Sequence, residues 1–379
     1  RDYAVTGVQT CALPICFVAL QHRTSANEPL RQELARHFVQ RRRKDIAEWQ
    51  AETGDGRGFP RRMKTDITYQ LNGDWGALFD SVQDYCRELA ENIERESEGR
   101  GSLIWYATLA LLRCVASSPA AAVKALTTRL ESSLDTDSLL SDDRLQDGEV
   151  DDLDGNDLEP PAQLEDTSRL HSLIAEAERL SGTKGDPKLV LLIEHVESLL
   201  RDGYHPVIFC RYIATAHYVA EHLRKAIPNT TIESITGEYT PEERRERIES
   251  MIEGEQRVLV ATDCLSEGIN LQHLFTAVVH YDLAWNPTRH EQREGRVDRF
   301  GQQAPEVRCS MLYSQDNPVD GFVLNVILRK GETIQKELGV LVPMPEDQAR
   351  ISQALVKAAL MKRGSSTEPR SEEHTSELQ

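Results

Sequence analysis

The chain has 379 residues, with 62 acidic and 44 basic side chains for a formal net charge of −18. It contains no run of 18 or more apolar residues, so no membrane-spanning helix and no membrane partner are expected. Its seven cysteines form no C-x-x-C pair, which argues against a zinc site or a disulfide framework and fits a reduced, cytoplasmic setting.

The acidity is local. Thirteen acids and one base, Arg144, stand between Leu134 and Asp166, a net of −12, which leaves −6 for the rest of the chain. An acidic balance of this kind is compatible with a basic surface elsewhere that binds phosphates.

The two ends read as foreign. Val5–Ile15 (VTGVQTCALPI) and Arg370–Gln379 (RSEEHTSELQ) read as translations of the two strands of one oligonucleotide that resembles a sequencing adapter. Residues 1–15 and 370–379 are therefore expected not to be native and are set aside. The gene segment between them is expected to be truncated on both sides.

Residues 16–73 hold a basic cluster (Arg41, Arg42, Arg43, Lys44, then Arg57, Arg61, Arg62 and Lys64), helical apolar spacing over Leu30–Trp49 and a short alternating strand over Asp66–Leu71. Residues 74–133 read as helical. Asp74 is a candidate N-cap for a helix to about Glu96 with Leu78, Val82, Tyr85 and Leu89 on one face. Leu103–Val115 is a nearly all-apolar helix, and Ser117-Ser118-Pro119 opens another to about Ser132. Residues 134–166 are acidic, poor in aromatics and dotted with Gly, Asn and Pro, which predicts a disordered linker; an acidic decoy competing with DNA is the alternative.

From Asp186 the pattern changes. Helices are predicted over Lys188–Leu200, Ala214–Ala226 and Pro241–Ile252. Strands are predicted over Pro206–Cys210, Thr231–Ile235, Arg257–Ala261 and Ala277–Tyr281. Such alternation implies an α/β fold with a parallel, doubly wound sheet, in which ligands bind beyond the carboxyl ends of the strands. Val319–Leu338 and Ile351–Met361 read as further helices.

Three segments stand in order: VIFCRY (Val207–Tyr212), VLVATDCLSEGINLQ (Val258–Gln272) and DLAWNPTRHEQREGRVDRFGQ (Asp282–Gln302). Together they resemble the second RecA-like lobe of superfamily-two helicases. Trp285-Asn286-Pro287 followed by QREGRVDRFGQ resembles the Swi/Snf-type branch in particular, and is also similar to the bacterial RNA-polymerase-recycling ATPase and to phage-defence helicases. The resemblance covers Asp186–Val340; upstream, only VQRRRKDI (Val39–Ile46) is similar, to the segment ending the first lobe. It implies a first-lobe remnant over 16–73, a second RecA-like lobe over 167–318, and brace and C-terminal helices over 319–369.

The chemistry is consistent with that resemblance. Arg293, Arg296 and Arg299 recur every three residues, a spacing that puts them on one helical face. Planar, permanently charged guanidinium groups suit the charge that spreads over a transferring phosphoryl group. By resemblance Arg296 and Arg299 are arginine fingers, Gln292 lines the same face, and Arg293 orients. Gly268 and Asn270 touch the nucleotide, and Glu267 braces the fingers or the other lobe. Asp263 either serves the nucleotide or caps a helix. Arg211, Thr236, Gly237 and Thr262, each just after a strand, look like contacts to the nucleic-acid backbone, which position a duplex without reading it; for Arg211 an intramolecular ion pair is the alternative.

No G-x-x-x-x-G-K-[ST] loop occurs, and Gly182-Thr183-Lys184-Gly185 is not one. His280, His290 and Asp282 lack metal-ligand spacing. ATP and Mg2+ are the implied cofactors, held mainly by a first RecA-like lobe upstream, so this piece alone is expected not to hydrolyse ATP. Duplex DNA is the implied partner, with RNA as the other possible track. A strand-separating helicase of a defence or restriction system, with defence or polymerase partners, and a non-catalytic nucleic-acid-binding lobe are the competing readings.

Overall fold

The computed structural model describes residues 59–96, 101–134, 167–253, 255–265, 269–284, 287–314, 316–317 and 320–321. The basic cluster at 41–44, VQRRRKDI, the acidic linker, Trp285-Asn286, the two C-terminal helices and both adapter-like ends lie outside them, as do Glu267 and Gly268.

Six strands form one sheet: β1 (Arg61–Tyr69), β2 (Pro206–Phe209), β3 (Thr231–Ile235), β4 (Arg257–Ala261), β5 (Ala277–His280) and β6 (Glu306–Ser314). Their order is β1-β6-β5-β2-β4-β3, and every pairing is parallel. β2 (PVIF) and β5 (AVVH) are buried at every position, the continuous apolar run that a strand covered on both faces requires. Ile208, Val258, Val260, Ala277 and Val279 pack on one face with helices α5 (Pro187–Arg201) and α6 (Ile213–Ala226). Val207, Phe209, Leu259, Ala261 and Val278 pack on the other, where Ile248 of α7 (Pro241–Ser250) joins Leu265, Phe275 and Val297.

Local chemistry sets the helix starts. Asp186 accepts from Leu189 N (2.8 Å) ahead of Pro187, capping α5. Thr240 and Glu243 form a reciprocal capping box on α7.

Two boundaries differ from the sequence reading. β1 is not a remnant of another lobe: it is the edge strand of this sheet, paired with β6 from Arg61↔Glu306 to Tyr69↔Ser314. The helix α4 (Thr167–Arg179), assigned to the α/β lobe, instead contributes Leu170, Leu173 and Ala177 to a separate core with α1 (Gly73–Glu96), α2 (Gly101–Ser117) and α3 (Pro119–Leu134). The central side chain there is Trp75, 1% exposed, whose indole donates to Val115 O at 3.2 Å. Local periodicity reports which face of an element is apolar, not which core buries it.

Candidate functional site

The carboxyl ends of β2, β4 and β3 lie side by side, since Phe209 and Ile235 both pair with Ala261. The pairing runs one residue further, through Cys210 N to Ala261 O (2.8 Å) and Thr262 N to Ile235 O (3.2 Å). Four predicted backbone contacts, Arg211, Thr262, Thr236 and Gly237, thus fall on one rim. Arg211 and Gly237 are partly exposed. Thr236 and Thr262 are buried, and their hydroxyls donate to residues two positions on in their own loops, Glu238 Oε2 (2.9 Å) and Cys264 Sγ (3.3 Å). Arg244 of α7 ties the two loops together, donating to Gly237 O (3.2 Å) and Cys264 O (3.4 Å).

A buried polar node lies beneath this rim. Asp282, just past β5, accepts from Lys188 Nζ (2.8 Å), Arg211 N (2.9 Å) and Ser117 Oγ (2.9 Å). The Lys188 ammonium also lies 4.0 Å from the Tyr281 ring centroid and donates to Ser117 O (3.2 Å). Burial pushes the Asp282 carboxyl up, but Lys188 and these donors outweigh it and hold it below the usual carboxylate range. The node joins the helical core, through Ser117, to the backbone of Arg211.

The three arginines do not share a helical face. Helix α8 (Pro287–Glu294) stops at Gly295, where a Cβ would come within 2.9 Å of Glu291 O. Arg293, the last basic residue of the helix, turns inward and is 0% exposed. It donates from Nε and Nη2 to the two Asp263 oxygens (2.6 and 2.8 Å) and from Nη1 to Asp282 O (2.9 Å). Burial raises and Arg293 lowers the Asp263 pKa, and Arg293 prevails. Both Asp263 oxygens therefore face Arg293.

Arg296 and Arg299 sit in the turn that follows and are partly exposed, as is Gln292. The turn is pinned from several sides. Val297 and Asp298 are buried, Gln302 Nε2 reaches Val297 O (3.0 Å) and Phe275 O (3.2 Å), and Leu271 N donates to Arg296 O (3.1 Å). This last bond sets Arg296 beside Asn270, whose Oδ1 accepts from Gln272 N (3.2 Å). The structure thus joins Gln292, Arg296, Arg299 and Asn270 in one region and the rim residues in another. The His280 and His290 rings meet at a tilt, with centroids 4.6 Å apart; His290 Nε2 contacts the Ala284 backbone and His280 faces Glu294. Among the described residues no group of three or more His, Cys, Asp or Glu side chains is placed to hold a metal ion.

The roles of Lys188, Asp282, Arg244 and Arg62 were not read from the sequence. Lys188 was legible only as part of an amphipathic helix, and its inward side chain had no local signal. β6 carried a signal in its alternation, with Val307, Cys309, Leu312 and Ser314 buried.

An all-parallel sheet with motif-bearing loops at its carboxyl rim places candidate ligand contacts beyond the strand ends. Residues 188–301 match the family described as the helicase conserved C-terminal domain, so this part of the chain is similar to a helicase C-terminal lobe. Eukaryotic initiation factor 4A of Dictyostelium discoideum is 38% identical over 97 residues, 26% of this chain and 23% of that protein. The uncharacterized ATP-dependent helicase YqhH of Bacillus subtilis (strain 168) is 29% identical over 193 residues, 50% of this chain and 31% of that protein. The chain thus spans less than a third of either relative. The C-terminal part of the Fun30 ATPase domain superposes with a TM-score of 0.52 at 14% identity, covering 80% of this chain and 99% of that one. The Sulfolobus solfataricus SWI2/SNF2 ATPase core in complex with dsDNA gives 0.50 at 16% identity, covering 79% and 48%. The fold is that of a RecA-like lobe, as the sequence reading implied.

Proposed function

We propose that this chain is the C-terminal half of an ATP-dependent duplex-DNA translocase, supplying arginine fingers and backbone contacts to a motor completed by a first RecA-like lobe. The observation that carries the reading is the arginine turn: Arg296 and Arg299 are partly exposed while the residues between them, Val297 and Asp298, are buried. Two guanidinium groups on an anchored backbone are preorganised for developing phosphoryl charge. Asn270 beside the turn, with Gly268 and Glu267 just before it in sequence, completes the nucleotide side. Gln292 lines it, and Asp263 serves it indirectly by fixing Arg293. Arg211 and Gly237 offer a partly exposed cation and backbone to a phosphate, and Thr236 and Thr262 shape the same rim. ATP with Mg2+ is the cofactor, bound mainly by the first lobe; these arginines suit its phosphates. The structural likeness to a SWI2/SNF2 core solved with dsDNA favours duplex DNA as the track.

The test is ATP hydrolysis by the full-length parent with and without duplex DNA. Hydrolysis stimulated by duplex and reduced about a thousandfold in Arg296→Ala and Arg299→Ala is expected. Hydrolysis indifferent to both arginines would remove the finger assignment. Stimulation by single-stranded RNA alone would replace the track.

A further inference from the structure

The arginine turn is held by a residue from the far edge of the sheet. Arg62 lies on β1, opposite Val307 of β6, and its guanidinium meets three carboxylates at once. Nη1 lies 2.9 Å from Glu291 Oε2 and also pairs with Glu294; Nε lies 2.5 Å from Asp298 Oδ2. The side chains of Glu294 and Asp298 are almost wholly buried. Glu291 and Glu294 flank Gln292 and Arg293, and Asp298 stands between Arg296 and Arg299. Glu294 also faces His280.

We propose that Arg62 is a positioning residue for the nucleotide site: its clamp on Glu291, Glu294 and Asp298 sets where Arg296 and Arg299 can reach. Without it, three carboxylates gathered around one vacated cation would repel, and the turn carrying both arginines would open. The nine-residue ladder with β6 gives the clamp a rigid base. A planar guanidinium can address carboxylates along two edges, whereas an ammonium is a single point charge. This inference rests on the assignment of Arg296 and Arg299 to the nucleotide.

The experiment measures duplex-stimulated ATP hydrolysis by the full-length protein in Arg62→Ala, Arg62→Lys, Arg299→Ala and the Arg62→Ala/Arg299→Ala double variant, with thermal unfolding to confirm folding. A shift of about 1 Å at a catalytic group can cost about a hundredfold in rate. Arg62→Ala is therefore expected to lower kcat by about 10- to 100-fold with little change in the DNA concentration giving half-maximal stimulation. Arg62→Lys should fall between it and the parent, and it carries the test if Arg62→Ala does not fold. The double variant should be no slower than Arg299→Ala alone, because Arg62 acts through the turn. An inactive Arg299→Ala beside a fully active Arg62→Ala and Arg62→Lys would overturn the clamp alone. Losses that multiply in the double variant would do the same. Full activity of Arg296→Ala and Arg299→Ala would overturn the finger reading and the clamp with it.

Discussion

Asp263→Ala tests the interior of the site. Arg293 has a fully buried side chain with three hydrogen bonds, two of them to Asp263. Removing the carboxylate leaves a buried cation with its hydrogen bond to the Asp282 carbonyl among the described residues. Breaking a buried ion pair from one side costs about 3–5 kcal/mol. The Asp263 side chain is 20% exposed, so water can enter and the lower end, about 3 kcal/mol, is expected. Against a typical stability of about 5–15 kcal/mol, urea unfolding followed by circular dichroism at pH 7 should register the loss directly. The double variant Asp263→Leu/Arg293→Met removes both charges and should recover most of the loss. The pH dependence has a definite sign. Burial raises the Asp263 pKa but Arg293 outweighs it, so the folded value lies below the unfolded one. The stabilisation is therefore present above about pH 3.9 and is lost as pH falls through the lower folded value. Asp263→Ala should abolish that share of the acid sensitivity. A loss below about 1 kcal/mol in Asp263→Ala, or a double variant no better than the single, would refute the buried-pair account.

Three further outcomes are expected. Burial raises Asp186 to about 6 despite its bonds from Leu189 N and Tyr218; its contribution is full below about pH 3.9 and lost as pH rises through about 6. Asp186→Asn should therefore gain on the parent by on the order of 2 kcal/mol between pH 4 and 7, read from urea midpoints, and a constant difference across that range would contradict this. Burial, then Arg293, holds His280 well below its ordinary value, so its neutral form stabilises the fold at pH 7 and that share is lost as pH drops below about 6.5; His280→Leu should flatten the stability profile between about pH 6.5 and 5, and an unchanged slope would argue against a buried neutral ring. In the helical core, Trp75→Ala should cost about 3–5 kcal/mol and Trp75→Phe about 1–2 kcal/mol through the lost bond to Val115 O; thermal unfolding separates the two, and equal losses would mean the indole bond carries the whole effect.

Much of this protein was written locally. The runs from Pro206 to Tyr281 placed four strands to within a residue, because β2, β4 and β5 lie between helices and are almost continuously apolar, while β3 at the sheet edge mixes apolar and polar positions. The helix over Lys188–Leu200 was legible and matches α5, and the motifs after β4 and β5 marked the rim where chemistry could sit. What sequence spacing could not decide was which way Arg293, Arg296 and Arg299 point. A three-residue period implies one face only while the helix lasts, and α8 ends at Glu294, before Arg296 and Arg299. The fate of Arg293 depends on Asp263, 30 residues earlier. The support beneath the turn depends on Arg62, 236 residues before Asp298, on a strand that joins this sheet only through β6. Periodicity and capping act within a few residues of the chain, and those decided the elements. Ion pairing and strand order act through space, and only the folded sheet brings Arg62, Asp263 and Lys188 to the loops they hold.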